Sequence, residues 1–86
     1  MAYKIIIPDT AKKQLAQLDK PIQRRIVQYL TELGESDNPR AYGIAMQGEA
    51  HLWRYRMGDY RIIANIEDKT ITIAVLKIGH RRDVYR

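Results

Sequence analysis

Apolar residues along this sequence follow a helical period in its first part and a period of two in its second part. At the start, a β-branched run over residues 3–7 ends at Pro8 and predicts a short strand. Asp9 is suited to the N-cap of a helix, because its side chain can accept a backbone N–H of the first turn. We expect that helix to extend to about Leu18, with one apolar side.

The next apolar residues predict a second helix. Pro21 fits its first turn, because proline lacks the N–H that would have no helical partner there. Apolar residues then recur every three or four positions, which places them on one face of a helix. Gly34 is a typical residue for the end of such a helix. The two helices are therefore expected to form a hairpin with one buried face. The apolar face of the second helix consists of Ile22, Ile26, Leu30 and Leu33.

The apolar period changes to two after a connection over residues 35–47, which has room for one short helical turn. A period of two is typical of β-strands. Gly58-Asp59 lies between two such runs and predicts a β-hairpin. A polar turn over residues 67–70 leads into a third run that is rich in β-branched residues. The three predicted strands cover residues 52–57, 60–66 and 71–78.

This order of elements predicts an α+β fold: an N-terminal strand, a helical hairpin and a three-stranded antiparallel meander. Two amphipathic helices can cover one face of such a sheet and leave its other face open. A length of 86 residues suffices for one small domain. We therefore expect a single domain over residues 1–86, whose function depends on the open face of the sheet.

Charge adds a preference for a partner that is rich in phosphate. The sequence has 15 Lys and Arg against 10 Asp and Glu, and residues 40–86 hold nine of the basic residues and five of the acidic ones. Seven of those nine are Arg, whose planar guanidinium can bind a phosphate through two hydrogen bonds. Composition alone still favours a soluble domain that happens to be basic. The positions of the arginines therefore have to show whether they form a binding site for phosphate. They are Arg40, Arg54, Arg56, Arg61, Arg81, Arg82 and Arg86.

The composition of the sequence also excludes several structural and functional features. The sequence has no cysteine, which excludes disulfides and thiolate zinc ligands. His51 and His80 are its only histidines, and they do not make a metal site. No apolar run approaches the roughly 18 residues of a membrane span. We expect a cytoplasmic protein with no metal, no cofactor and no membrane attachment.

Three arginines are predicted to share the open face of the sheet. In the first strand of the hairpin, Arg54 and Arg56 alternate with apolar residues that belong in the core, and Arg61 falls on the same face across the turn. Two guanidiniums at 4 Å repel by on the order of 4 kcal/mol at an effective dielectric of 20, and less when they are solvated. Each arginine alone fits a solvated position or an ion pair with Asp59 or Glu49. The three together favour a site for an oligoanion.

The C-terminal residues add polar groups near these arginines. The meander brings the end of its last strand beside one end of the patch, so His80, Arg81, Arg82 and Tyr85 are expected there. A lone histidine is usually structural or exposed, although imidazole titrates near neutral pH and therefore suits proton transfer. Tyr85 fits a packing role and a stacking role on an RNA base equally well.

Arginine, histidine and tyrosine without a metal suit one reaction on RNA, the attack of a ribose 2′-hydroxyl on the adjacent phosphate. The substrate supplies its own nucleophile. The protein has to supply a base, an acid and cations that stabilise the charge of the transition state. The sequence offers no other chemistry, because it lacks a glycine-rich phosphate loop, a cysteine nucleophile and a suitable pair of carboxylates.

Two segments, residues 52–63 and 78–85, resemble the RelE branch of the RelE/ParE toxin superfamily. The first reads Leu-Trp-Arg-Tyr-Arg-Met-Gly-Asp-Tyr-Arg-Ile-Ile, and the second reads Ile-Gly-His-Arg-Arg-Asp-Val-Tyr. The order of elements is also similar, so the resemblance covers nearly the whole chain. It implies the RelE-like microbial RNase fold and a toxin of a type II toxin–antitoxin system. Such a toxin is a metal-free, ribosome-dependent endoribonuclease, or mRNA interferase, that cleaves messenger RNA at the A site.

The resemblance implies roles for five residues by position. Arg54 and Arg56 match a basic pair that holds the message. Arg61 and Arg81 match arginines that stabilise the scissile phosphate. Tyr85 matches a tyrosine that stacks on the substrate base or assists proton transfer. These roles define a catalytic group and an RNA-binding group on the same surface.

His80 and Arg82 are our own additions to this set. His80 lies where some RelE-like proteins have a basic residue, and we infer that it acts as an acid or base. Arg82 is expected to bind RNA beside Arg81. Because arginine stays protonated, neither Arg54 nor Arg56 is a candidate for the general base.

The resemblance also implies partners and leaves two other functions open. The implied partners are a RelB-like antitoxin, the ribosome with messenger RNA in its A site, and operator DNA for the toxin–antitoxin complex. The first alternative is a ParE-like toxin that inhibits gyrase and has no nuclease activity. The second is a non-catalytic nucleic-acid-binding or interaction domain with the same fold. The arginines with Tyr85 favour the nuclease, because a gyrase inhibitor would not need that set.

Overall fold

A computed structural model describes residues 3–48 and 51–84. Glu49 and Tyr85 lie outside these described residues, so what was expected of them stays a prediction. Within them the chain forms a mixed sheet with helices on one face, and the predicted α+β fold is confirmed. The strands are β1 (Lys4–Ile6), β2 (Ile44–Ala45), β3 (Leu52–Met57), β4 (Tyr60–Glu67) and β5 (Thr72–His80). The helices are α1 (Asp9–Ala16), α2 (Lys20–Glu35) and α3 (Arg81–Val84), with a 3₁₀ turn at Pro39–Tyr42.

The sheet has the strand order β1-β5-β4-β3-β2. β3, β4 and β5 form the predicted antiparallel meander, and β1 lies at the far edge, parallel to β5. Helices α1 and α2 cover one face, since Ala11 and Ile26 belong to the same buried cluster as Tyr55 and Ile62 of the sheet. We call this face the helix-facing side and the other the open face. The cross-strand pairs of β3 and β4, counted from the core residues Tyr55 and Ile62, assign each side chain to one of the two.

The apolar stripe of α2 packs as its spacing predicts. Ile26, Leu30 and Leu33 are buried, and Ile22 is half-buried against the same cluster. The start of α1 differs by one residue from the prediction. Pro8 occupies the N-cap and Asp9 is the first helical residue, where its negative charge favours the helix N-terminus without a capping hydrogen bond.

Gly34 does not end α2 as the sequence predicted. The helix continues through it to Glu35, and Gly34 is buried against β1. Its carbonyl accepts the N–H of Tyr3 at 2.6 Å, and a Cβ at this position would lie 2.9 Å from Cγ1 of Ile5. The glycine is therefore explained by the close approach of β1 to the helix, which sequence spacing along α2 alone does not reveal.

Gly34→Ala is expected to destabilise the protein, although alanine is the better helix former. The propensity gain is about 1 kcal/mol. The new methyl group would press on Ile5 and on the Tyr3 carbonyl, and such overpacking costs about 1–3 kcal/mol. Urea denaturation measures the balance, with the exposed α2 change Thr31→Ala as the control. A gain in stability from Gly34→Ala would contradict the close approach described above.

Two short features of the sheet were not predicted. β2 has two residues and pairs with β3 through Ile44–Arg54 and Ala45–Trp53, within a segment that we had read as a connection. The ladder between β4 and β5 also shifts register between Ile63 and Ala64. Such a shift marks a β-bulge. A two-residue strand and a bulge are both too short to produce a period in the sequence.

Arg40 holds the 3₁₀ turn against the β4–β5 turn. Its guanidinium donates to both carboxylate oxygens of Asp68 at 3.0 Å, and it lies over the Trp53 ring at 5.9 Å from the ring centroid. The Tyr3 hydroxyl donates to the same carboxylate at 2.9 Å. The hydrogen bonds from Arg40 and then from Tyr3 lower the pKa of Asp68 below its usual value. This arginine therefore has a structural role and does not belong to the open-face patch.

Candidate nucleic-acid interface

The open face carries a pair of directly opposed arginines next to the β3–β4 turn. Arg56 of β3 faces Arg61 of β4, and two residues further from the turn Arg54 faces Ile63. Residues that face each other across an antiparallel ladder lie on the same side of the sheet. All three arginines therefore share the open face, and the neighbouring Tyr55 is buried beneath the helices. Like charges in direct opposition favour an anion between them.

Arg61 is held by the turn that connects β3 to β4. Its Nη1 donates to the Gly58 carbonyl at 2.8 Å and to the Tyr60 carbonyl at 3.0 Å. No ion pair joins Arg61 to Asp59 within the described part of the chain, which answers one of the alternatives raised by the sequence. Three further N–H donors of this guanidinium, on Nη2 and Nε, have no hydrogen-bond partner among the described residues. They are free to bind a phosphate.

The C-terminal residues reach the same end of the sheet. Gly79 of β5 lies opposite Arg61, and the chain then turns into α3. The backbone N–H of Arg81 donates to the Asp59 carbonyl at 2.8 Å. This hydrogen bond ties the start of α3 to the β3–β4 turn and brings exposed Arg81 and Arg82 to the end of the sheet where Arg61 lies. The sequence missed the helix, because four residues are too few to show a helical period.

His80 lies on the other side of the sheet. It faces Tyr60 in the β4–β5 ladder, and the two rings make an edge-to-face contact with centroids 5.7 Å apart. Tyr60 in turn faces Met57, which packs against the core. The Nδ1 of His80 accepts the backbone N–H of Arg82 at 3.3 Å. The strand period counted from buried Ile78 would have indicated this side, because residues two apart share a face.

Two exposed apolar side chains lie at the opposite edges of the open face. Ile44 of β2 is 59% exposed and faces Arg54, and Ile6 of β1 is 40% exposed and faces Ala74 of β5. The apolar side chain of Ile44 therefore lies beside Arg54, and Ile6 lies at the opposite edge of the sheet. Sequence reasoning missed Ile44 as part of this surface, since it had placed no strand there. An exposed apolar side chain beside cations suits a partner that is itself acidic and apolar.

The part of the chain that the structure describes contains no group of three or more His, Cys, Asp or Glu side chains arranged to hold a metal ion. Within residues 3–48 and 51–84, no helix is long and apolar enough to cross a membrane.

Comparison with known proteins identifies the class as toxins of type II toxin–antitoxin systems. Residues 5–85 match the family model described as the ParE toxin of the type II toxin–antitoxin system, parDE. The chain is also 31% identical over 88 residues to Toxin RelG of Mycobacterium tuberculosis, and the alignment covers 100% of this chain and 99% of that protein. The chain belongs to the RelE/ParE toxin superfamily.

Solved structures agree with this assignment. The chain is similar to one in the toxin–antitoxin complex RelBE2 of M. tuberculosis, with a TM-score of 0.84, 26% identity, and coverage of 94% of this chain and 100% of that one. It is similar to one in the archaeal RelE–RelB complex of Pyrococcus horikoshii, with a TM-score of 0.76, 30% identity, and coverage of 96% and 99%. The RelE-like fold expected from the sequence is confirmed.

Proposed function

We propose that this toxin is an endoribonuclease that cleaves messenger RNA in the ribosomal A site. The observation that carries the proposal is the arrangement of arginines at one end of the open face. Arg56 and Arg61 face each other there, and Arg81 is tied by its backbone to the turn that holds Arg61. A gathering of guanidiniums on an open surface suits the negatively charged backbone of a single RNA strand.

The proposed reaction uses the nucleophile of the substrate. The ribose 2′-hydroxyl gives up its proton to a base as its oxygen bonds to the adjacent phosphorus. The bond from that phosphorus to the 5′-oxygen of the next nucleotide breaks, and this oxygen takes up a proton from an acid. The products are a 2′,3′-cyclic phosphate and a 5′-hydroxyl. Arg61 and Arg81 stabilise the charge that develops on the phosphate oxygens, and such stabilisation is usually the largest single contribution to catalysis. The role of Tyr85 in stacking or proton transfer remains the one that the family resemblance implies.

The other arginines bind the message on either side of the reacting phosphate. Arg54 and Arg56 are two residues apart on one strand, so their attachment points are separated by about 6.6 Å and they contact different phosphates. Arg82 extends the cationic surface from α3. His80 was expected to act as acid or base, but the ladder places it on the helix-facing side with Tyr60. We therefore leave it out of the proton transfer.

The proposal includes an antitoxin that is encoded alongside the toxin and blocks the open face. Structures of relatives contain the toxin together with a RelB antitoxin, in the P. horikoshii complex for example. An acidic antitoxin segment with apolar side chains would match both the arginines and the apolar residues Ile44 and Ile6. We further propose that the toxin acts in the cytoplasm and that its complex with the antitoxin binds operator DNA.

Inhibition of gyrase without nuclease activity is the competing function, and the match to the ParE family model favours it. Two parallel reactions separate the two. We expect the purified toxin to stop protein synthesis in a translation extract and to leave DNA supercoiling by gyrase unchanged at the same concentration. The RNA recovered from the extract should carry new 5′-hydroxyl ends. Inhibited supercoiling with intact RNA would replace our proposal with the ParE-like one.

A further inference from the structure

We propose that the β3–β4 turn, Gly58-Asp59, is the positioning element of the phosphate site, and that Gly58 is required for the orientation of Arg61. This inference rests on the proposed function, which assigns Arg61 and Arg81 to the same phosphate. Neither residue of the turn needs to touch RNA. The turn acts through the two arginines whose positions it fixes.

Three successive carbonyls of this segment accept hydrogen bonds from the two arginines. The Gly58 and Tyr60 carbonyls accept from Nη1 of Arg61 at 2.8 and 3.0 Å. The Asp59 carbonyl between them accepts the backbone N–H of Arg81 at 2.8 Å. One short stretch of backbone therefore sets both the direction of the Arg61 guanidinium and the starting point of α3. Partial negative charge on these carbonyls also offsets the repulsion between Arg61 and Arg56.

The direction of the Gly58 carbonyl depends on a backbone conformation that glycine adopts readily. Gly58 has φ +60°, whereas Asp59 is not among the residues with positive φ. A two-residue hairpin loop with these signs corresponds to a type II′ turn, which favours glycine at its first central position. A residue that requires negative φ there would rotate the peptide between residues 58 and 59. The carbonyl that holds Arg61 would then point elsewhere.

The hydrogen bonds to the turn leave a defined edge of the guanidinium for the substrate. Nη1 is engaged by the two carbonyls. Nη2 and Nε lie side by side on a guanidinium, and together they can donate two parallel hydrogen bonds to one phosphate. The turn thus selects a side-on approach of the phosphate to Arg61. Loss of the turn geometry is expected to lower the rate of cleavage more than the affinity for RNA, since Arg54, Arg56 and Arg82 still bind the message.

A second glycine of the chain provides a matched control. Gly48 has φ +81°, and a Cβ at Gly48 or at Gly58 would meet no atom within 4 Å. At both positions, therefore, an alanine would be strained by its backbone angle and not by contacts with other atoms. Of these two glycines, only Gly58 accepts a hydrogen bond from Arg61. Asparagine tolerates positive φ better than alanine despite its larger side chain, so Gly58→Asn is the rescuing variant.

The experiment compares Gly58→Ala, Gly58→Asn and Gly48→Ala in the full chain. On programmed ribosomes we expect Gly58→Ala to lose about 100-fold in kcat with little change in KM, because misplacing a catalytic group by about 1 Å costs that much. Gly58→Asn should recover most of the rate, and Gly48→Ala should match the wild type. In the free protein, the Arg61 guanidinium signals in ¹⁵N NMR should show restricted rotation in the wild type and in Gly48→Ala, and free rotation in Gly58→Ala.

The two measurements distinguish failure of this inference from failure of the proposed function. If the wild type cleaves and Gly58→Ala cleaves equally fast, the turn does not position the site, although the nuclease assignment stands. If Arg61 rotates as slowly in Gly58→Ala as in the wild type, the inference is also overturned. A wild type that does not cleave rejects the nuclease proposal. In that case the NMR comparison still decides whether the turn orients Arg61.

Discussion

Arg61→Ala is expected to slow cleavage of a message on the ribosome by about 100- to 1000-fold, the usual loss when one preorganised donor is removed. The Arg61 guanidinium is fixed by two backbone carbonyls before any substrate arrives, so its orientation costs little when the reaction occurs. The phosphorane gains negative charge relative to the ground state, and an interaction made mainly with that charge lowers kcat when it is lost. Single-turnover cleavage on programmed ribosomes measures the effect.

Arg25→Ala is the matched control for this prediction. It removes the same charge from the exposed surface of α2, which packs on the helix-facing side, and it should change the rate by no more than about twofold. Arg61→Lys tests geometry, because lysine keeps the charge and lacks the two-pronged guanidinium. We expect it to fall between Arg61→Ala and the wild type. Cleavage by Arg61→Ala at the wild-type rate would show that the phosphate lies elsewhere.

Tyr55→Ala is expected to lower the free energy of unfolding by about 3–5 kcal/mol, the cost of deleting a large buried ring. Tyr55 is fully buried, packs edge-to-face on Tyr29, and donates from its hydroxyl to the Pro39 carbonyl at 2.9 Å. A domain of this length has a total stability of roughly 4–13 kcal/mol. The variant should therefore lose a large share of this stability. Urea denaturation followed by circular dichroism measures the loss.

Tyr55→Phe isolates the hydroxyl from the ring. It leaves the Pro39 carbonyl buried without its donor and should cost about 1–3 kcal/mol at neutral pH. Burial raises the pKa of Tyr55 from its ordinary value of 10.0 to about 12. The neutral hydroxyl therefore stabilises the folded state fully below pH 10, and this contribution falls as the pH rises from 10 towards 12. The difference between wild type and Tyr55→Phe should shrink over that range; a constant difference would contradict the burial of the hydroxyl.

The periodic parts of the fold could be predicted from the sequence. The stripe of α2 and the alternation of arginines with apolar residues along β3 extend over enough residues for their periods to be recognised. β2 and α3 have two and four residues, which is less than the sequence signal requires. Gly34 was assigned by a local rule to the helix end, but contact with β1 determines its place. Local sequence signals give a wrong assignment where a tertiary contact determines the role of a residue.

The candidate site could likewise be predicted from the sequence only in part. The strand period was enough to put Arg54, Arg56 and Arg61 on one face. Side chains alternate between the two faces of a sheet, so the face of each residue follows once the core side is known. The hydrogen bonds from Arg61 to the turn could not be predicted, because they depend on the orientation of one peptide unit. His80 could have been assigned to the helix-facing side by counting from Ile78. Its residue type drew attention to chemistry, although its position indicated packing.

Primer extension on a defined message in a reconstituted translation reaction, with and without ribosomes, tests the proposed nuclease most directly. We expect cuts only when ribosomes are present, within the codon at the A site, and a loss of those cuts in Arg61→Ala. The absence of cuts in every lane, with the toxin folded and free of antitoxin, would contradict this proposal.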